Sequence, residues 1–153
     1  MIGEARKSQS GISMSMKSRI GFMQGRLSSV VDGQIQSFPW KTWRDEFEIG
    51  SRLGFTKMEW TLDSKDLLLN PILVSESQGL VQTLSEESGI SIDSVTCDCM
   101  MQKPFWKEPE DRRYSLTSDF MHIAEMSSRL GIRLLVVPLV DNGSLNSPEE
   151  ENT

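Results

Sequence analysis

The chain reads as an α/β protein: the N-terminal half of a (β/α)8 barrel, with four parallel strands, intervening helices and an incomplete ring. Three observations predict this. A helical stripe ending in glycine runs straight into an apolar strand three times, at SRLGFTKMEW, EESGISIDSVTC and SRLGIRLLVVPL. Alternating helices and strands need crossovers, and crossovers join parallel strands. The first strand, GFMQGRL, is followed by neither G-x-G-x-x-G nor a P-loop, the turn that a doubly wound nucleotide fold places there. A closed barrel takes about 250 residues, so 153 residues are expected to supply half of one.

Residues 1–18, MIGEARKSQSGISMSMKS, carry basic residues but no apolar run of the kind a secretory signal needs, and read as a disordered extension with Met14 and Met16 as alternative starts. The partial barrel is expected over 19–146. Its first strand falls near 19–24 and stops in Gln24, Gly25 and Arg26. The first helix, 41–53, sets Trp43, Phe47, Gly50 and Leu53 at three- and four-residue steps, with Arg44, Asp45, Glu48 and Arg52 elsewhere. Gly54 follows as the residue that takes the left-handed conformation ending a helix. In the second strand, 55–60, alternation puts Thr56, Met58 and Trp60 on one face and Lys57 and Glu59 on the other.

The second helix, 76–88, offers Leu80, Val81 and Leu84, with Gly79 weakening it by about 1 kcal/mol relative to alanine. Gly89 ends it. In the third strand, 91–98, Ser94, Thr96 and Asp98 share one face and Val95, Cys97 and Cys99 the other. The helix before Gly131 has the stripe Leu116, Phe120, Ile123, Ala124, Ser127 and Leu130. His122 falls with Ser118, Glu125 and Arg129 on its polar side and is expected in solvent. The fourth strand, 133–140, contains LLVVPLV, apolar on both faces as when helices cover one side and a core fills the other. Residues 147–153 form an acidic tail.

Net charge is −6, and its distribution is uneven: Arg6, Lys7, Lys17 and Arg19 oppose Glu4 alone in the first twenty residues, leaving −9 on the rest. An acidic body repels phosphate backbones, so no nucleic-acid partner is expected. No apolar run approaches the roughly 18 residues of a membrane span, so no membrane partner is expected either, and the protein is placed in the cytoplasm. Cys97 and Cys99 suit small buried side chains in a reducing compartment. Two thiols do not complete a tetrahedral zinc site, and no disulfide is assigned.

Five pieces, in order and spacing, carry a resemblance: GFMQGRLS, FPWKTWRDEF, LGFTKMEW, SIDSVTCDCMM and VVPLVDNGSL, spanning residues 19–145. Together they resemble the sugar phosphate isomerase/epimerase family of the xylose isomerase-like TIM barrels. The resemblance implies a parent activity of metal-assisted proton transfer next to a sugar carbonyl, with divalent Mn or Mg held by Glu, Asp, His and Glu on later strands. Those strands lie beyond this sequence. No catalytic residue and no metal ligand is therefore carried over, no metal is expected on this chain alone, and it is expected to be inactive by itself. The related AP endonuclease family takes zinc-binding histidines from early strands, where this chain has none.

The matching residues lie at strand ends, the face where barrel sites form. Gln24 and Arg26 are candidates to hydrogen-bond sugar hydroxyls or a phosphate, against a solvated turn with Arg26 in a surface ion pair. Glu59 is expected to point into the mouth, the competing role being a partnership with Lys57 or Arg26. Asp98 is the second carboxylate candidate; Asp141 either binds substrate or starts the turn DNGS. Trp40, Trp60 and Trp106 are expected to pack against helices rather than stack on a sugar. The loop MMQKPFWKEPE reads as a cover for the mouth or a packed loop. The expected ligand is a sugar or sugar phosphate. The alternative is a non-catalytic half barrel that pairs through its open first and fourth strands, as a homodimer or with a missing C-terminal half.

Overall fold

The computed structural model describes residues 20–30, 33 and 37–151. The extension read over 1–18 lies outside them. Along the chain run β1 (Gly21–Met23), α1 (Asp45–Leu53), β2 (Lys57–Thr61), a 3-10 turn (Leu67–Leu69), α2 (Ser75–Ser88) and β3 (Ser91–Thr96). There follow α3 (Asp98–Gln102), a second 3-10 turn (Phe105–Lys107), α4 (Glu110–Arg129), β4 (Leu134–Val136), a third 3-10 turn (Asp141–Gly143) and α5 (Pro148–Glu151). Among the described residues no helix is long and apolar enough to cross a membrane.

The protein is α/β, with one four-stranded parallel sheet in the order β1-β2-β3-β4 and helices between the strands. Each new strand joins the same edge, whereas a doubly wound sheet reverses direction at its switch point. Because strand-to-strand crossovers are right-handed, a one-way order puts the crossover helices on one face. Burial agrees: Met58, Trp60 and Val95 are buried on the helix side, while Lys57, Glu59 and Ser94 on the other side are only half-buried. Those three, with Gly21, Met23 and Asp93, line an open cleft of about 320 Å³.

Gly54, Gly89 and Gly131 take φ values of 84°, 70° and 74°, the left-handed geometry that a helix-to-strand junction requires. Trp60 is fully buried in an aromatic cluster, its ring 5.6 Å from both Phe38 and Trp43. Its indole N–H donates to Asn70 Oδ1 at 2.9 Å, which answers the one polar group that burial would otherwise strand. Gly50 lets α1 close onto the sheet: a Cβ there would lie 2.6 Å from Phe22 Cε1 and 2.8 Å from Ile90 Cδ1.

Several sequence expectations need correction. The first helix begins at Asp45, not 41, because the amides of Thr42 and Trp43 both bond the Pro39 carbonyl in tight turns. Leu53, placed on the buried stripe, is 61% exposed, and Leu80 is exposed as well, since both lie on helix flanks without a neighbour. The third strand ends at Thr96, so Cys97 and Cys99 do not share a strand face; Cys99 belongs to α3, and both are buried free thiols. His122 is half-buried, its Nε2 3.2 Å from the Leu73 carbonyl oxygen, because the 71–74 segment folds back over α4. The fourth strand is only three residues long, and Leu134 (59%) and Val136 (42%) are exposed, so only one of its faces is covered. Within the acidic tail, 148–151 forms the short helix α5.

Candidate functional site

The carboxyl ends of β1, β2 and β3 gather the polar groups. Ladder bonds run one residue past the strands: the Gln24 amide bonds the Glu59 carbonyl at 2.9 Å, and the Leu62 amide bonds the Thr96 carbonyl at 2.9 Å. The strand pairing therefore continues to the rim.

Gln24 lies there 3% exposed. Its Oε1 accepts from the Thr61 amide at 3.2 Å, and that donor fixes which end of the side-chain amide is oxygen. Its Nε2 is buried and has no hydrogen-bond partner among the described residues. Asp98, 1% exposed, opens α3 just beyond β3, and its Oδ2 is likewise buried and unanswered. Burial pushes the Asp98 carboxyl up to about 6, with the carboxylates of Asp63 and Glu59 adding to the rise and the Arg26 guanidinium opposing it. The chain therefore leaves an orphan donor and an orphan acceptor on either side of the β2 end. Native structures rarely leave such atoms without a ligand or water.

Glu59 projects from the open face as alternation predicts. Its Oε2 accepts from Ser94 Oγ at 2.9 Å and its Oε1 from Thr96 Oγ1 at 2.5 Å. Lys57 pairs instead with Asp93, whose carboxyl it holds below the usual range. The reason is a register shift between Met58 and Glu59, which makes Asp93 an extra residue opposite β2 and brings its carboxylate to Lys57.

Arg26 is exposed beside Met23, with one guanidinium nitrogen 3.9 Å from the thioether sulfur. Asp141 is exposed with φ at 50°, and its carbonyl closes the turn by accepting from the Ser144 amide at 3.2 Å. Its turn packs on α3, where the neighbouring Asn142 donates to the carbonyls of Met101 and Gln102.

Sequence reasoning missed two buried carboxylates. Glu46 is fully buried and accepts from the Gly25 amide at 2.9 Å to both oxygens and from the Leu27 amide at 3.1 Å. It shapes the loop that presents Gln24 and Arg26, and burial raises its pKa although those amides oppose the rise. The signal was available: Glu46 falls between Trp43, Phe47 and Gly50 on the apolar stripe of α1, where a carboxylate needs partners. Asp63, also buried and raised by burial, accepts from the Phe38 amide at 2.7 Å and ties the 37–44 segment to the end of β2. Nothing in its local sequence marked it.

The loop expected as a cover folds as α3 and a 3-10 turn. Met100, Pro104 and Trp106 are buried, and Phe105 packs edge-on against Trp106 with centroids 5.0 Å apart. Gln102 Oε1 accepts from the Ser64 amide at 2.7 Å, and Asn142 Nδ2 donates to the carbonyls of Gln102 at 3.2 Å and Met101 at 3.4 Å. It bridges the segments that follow β2 and β4. Trp40 packs edge-on to Phe38 at 4.8 Å.

Among the described residues no group of three or more His, Cys, Asp or Glu could hold a metal ion. Glu59 already holds two hydroxyls and Asp63 a backbone amide. The rim residues offer a buried amide donor, a carboxyl raised to about 6 and a carboxylate anchored by two hydroxyls. Compared with known proteins, the chain matches no family model and no curated sequence.

Proposed function

We propose that the chain is the N-terminal half of a (β/α)8 barrel and that its strand ends hold a sugar or sugar phosphate, as in the isomerase/epimerase family it resembles. The observation that carries this reading is the pair of unanswered buried groups, Gln24 Nε2 and Asp98 Oδ2. One needs an acceptor and the other a donor. A hydroxyl supplies both, and a sugar presents several hydroxyls at fixed spacing. Glu59 borders the same rim, and the exposed guanidinium of Arg26 suits a phosphate. The half-barrel reading is supported by the one-way strand order and one-sided helix cover. Buried free thiols at Cys97 and Cys99 fit a reducing cytoplasm.

Proton transfer next to the sugar carbonyl is the parent activity; this chain supplies the binding half of it. Saturation-transfer NMR against a panel of pentoses, hexoses and their phosphates tests the reading. Binding is expected, and Gln24→Leu or Asp98→Ala should weaken it by about tenfold, the worth of one good hydrogen bond. A panel without a binder, or variants that bind as well as the parent while folded by circular dichroism, would overturn it. Turnover of a sugar by this chain with Mn²⁺ alone would overturn its inactivity.

A further inference from the structure

We infer that Glu46 is a positioning residue for the ligand: through the peptide that follows Gln24, it holds the Gln24 side-chain amide in the one pose that offers its donor to the strand-end site. The inference rests on the sugar-site reading and deepens it by naming what sets the geometry of the binding group.

Of the polar atoms of Gln24, all but one are engaged. Its backbone amide donates to the Glu59 carbonyl at 2.9 Å, its carbonyl accepts from Thr61 Oγ1 at 3.4 Å, and its Oε1 accepts from the Thr61 amide at 3.2 Å. Turning the side-chain amide over would set its NH2 group against that same Thr61 N–H. Nε2 is thereby committed as a donor, and it is the atom left buried with no partner among the described residues. A leucine would fill similar space without an orphan donor, so packing alone gives no reason for an amide there.

The direction of that amide depends on the peptide beyond it. Gly25 takes a φ of 88°, where side chains are strained, and a Cβ there would lie 3.1 Å from the Ser37 carbonyl oxygen. The turn is held by the Arg26 amide on the Met23 carbonyl at 3.2 Å and by Glu46. The Glu46 carboxylate accepts from the Gly25 amide at 2.9 Å to both oxygens and from the Leu27 amide at 3.1 Å. The Ser28 amide and hydroxyl reach the same carboxylate, and Ser28 Oγ accepts in turn from Thr42 Oγ1 at 2.9 Å. Glu46 is itself fully buried on α1, next in sequence to the buried Phe47. A chain of bonds therefore runs from the helix to the Gln24–Gly25 peptide and so to Nε2. A binding group preset in this way loses little freedom when the ligand arrives, whereas a loose one must be frozen at a cost in affinity.

NMR on the isotope-labelled full chain tests this with two readings. The Gln24 side-chain NH2 signals, identified by their disappearance in Gln24→Leu, are read without sugar. In the parent they should lie apart from those of exposed amides, and in Glu46→Ala they should move to the exposed position while the backbone amides of β2 and β3 keep theirs. The dissociation constant for the sugar that the saturation-transfer panel picks out should then rise by about tenfold, the upper end of what freezing one rotamer-rich side chain costs. Glu46→Gln keeps one acceptor oxygen for the Gly25 and Leu27 amides, so it should fall between, and it stands in should Glu46→Ala not fold. Unmoved Gln24 signals in the folded Glu46 variants, or moved signals with unchanged sugar affinity, would overturn this inference alone. A parent that binds no sugar would remove the site reading and this inference together.

Discussion

At the scale of single residues, two buried carboxylates do different work. Glu46 is held by backbone amides, so removing it leaves the Gly25 and Leu27 amides without that partner and empties a buried position. Glu46→Ala should lower stability by about 2 kcal/mol or more in urea denaturation, with Glu46→Gln falling between the two. Asp98 has the opposite sense. Its folded-state pKa, about 6 against an ordinary 3.8, means the fold holds this proton more tightly than the unfolded chain does. Its contribution to stability is therefore full below about pH 4 and is lost as pH rises through 6. Asp98→Asn should flatten that decline and raise stability at pH 8 by up to about 3 kcal/mol; urea midpoints at pH 5 and pH 8 for parent and variant would show it. A parent whose midpoint rises across this interval would contradict the assignment. Glu46 was legible in principle, as a charge on an apolar stripe; Asp98 was placed at the right rim but on the wrong element.

At the scale of elements, the glycines separate two roles that one letter hides. Gly50 and Gly79 both sit inside helices, where alanine is the better helix former by about 1 kcal/mol. At Gly79 an added Cβ meets nothing within 4 Å, so Gly79→Ala should raise stability by about that amount. At Gly50 it would strike Phe22 and Ile90, and overpacking of this kind costs about 1–3 kcal/mol, so Gly50→Ala should lower stability despite its propensity. Paired thermal melts decide both. The three glycine-ended junctions were readable because the left-handed cap is a local requirement. Helix starts and strand ends were less so: α1 loses its first turn to the Pro39 turns, and β3 stops where the chain bends into α3. The shift at Asp93, which redirects Lys57 from Glu59, depends on the pairing of two strands and leaves no mark in either one.

At the scale of the whole molecule, a sheet covered by helices on one face explains the burial pattern and the way it departs from expectation. LLVVPLV reads as a strand buried on both faces, yet Leu134 and Val136 are exposed on the face that the helices leave open. If a second copy covers that face, as the alternative half-barrel pairing would have it, thermal stability should rise with protein concentration, as mass action requires of an assembly that binds only the folded state. The same melts on the Leu134→Lys, Val136→Lys variant should lose the dependence.

The sequence by itself determined the alternation of helix and strand, the parallel sheet, the glycine junctions and the faces of β2, because each follows from spacing within a dozen residues. Only the tertiary structure decided that Gln24 and Asp98 are left unanswered on either side of β2, that Glu59 is held by Ser94 and Thr96, and that Glu46 and Asp63 brace the rim. Those facts depend on which strands lie side by side and which atoms burial removes from water, and neither quantity is a property of any one segment.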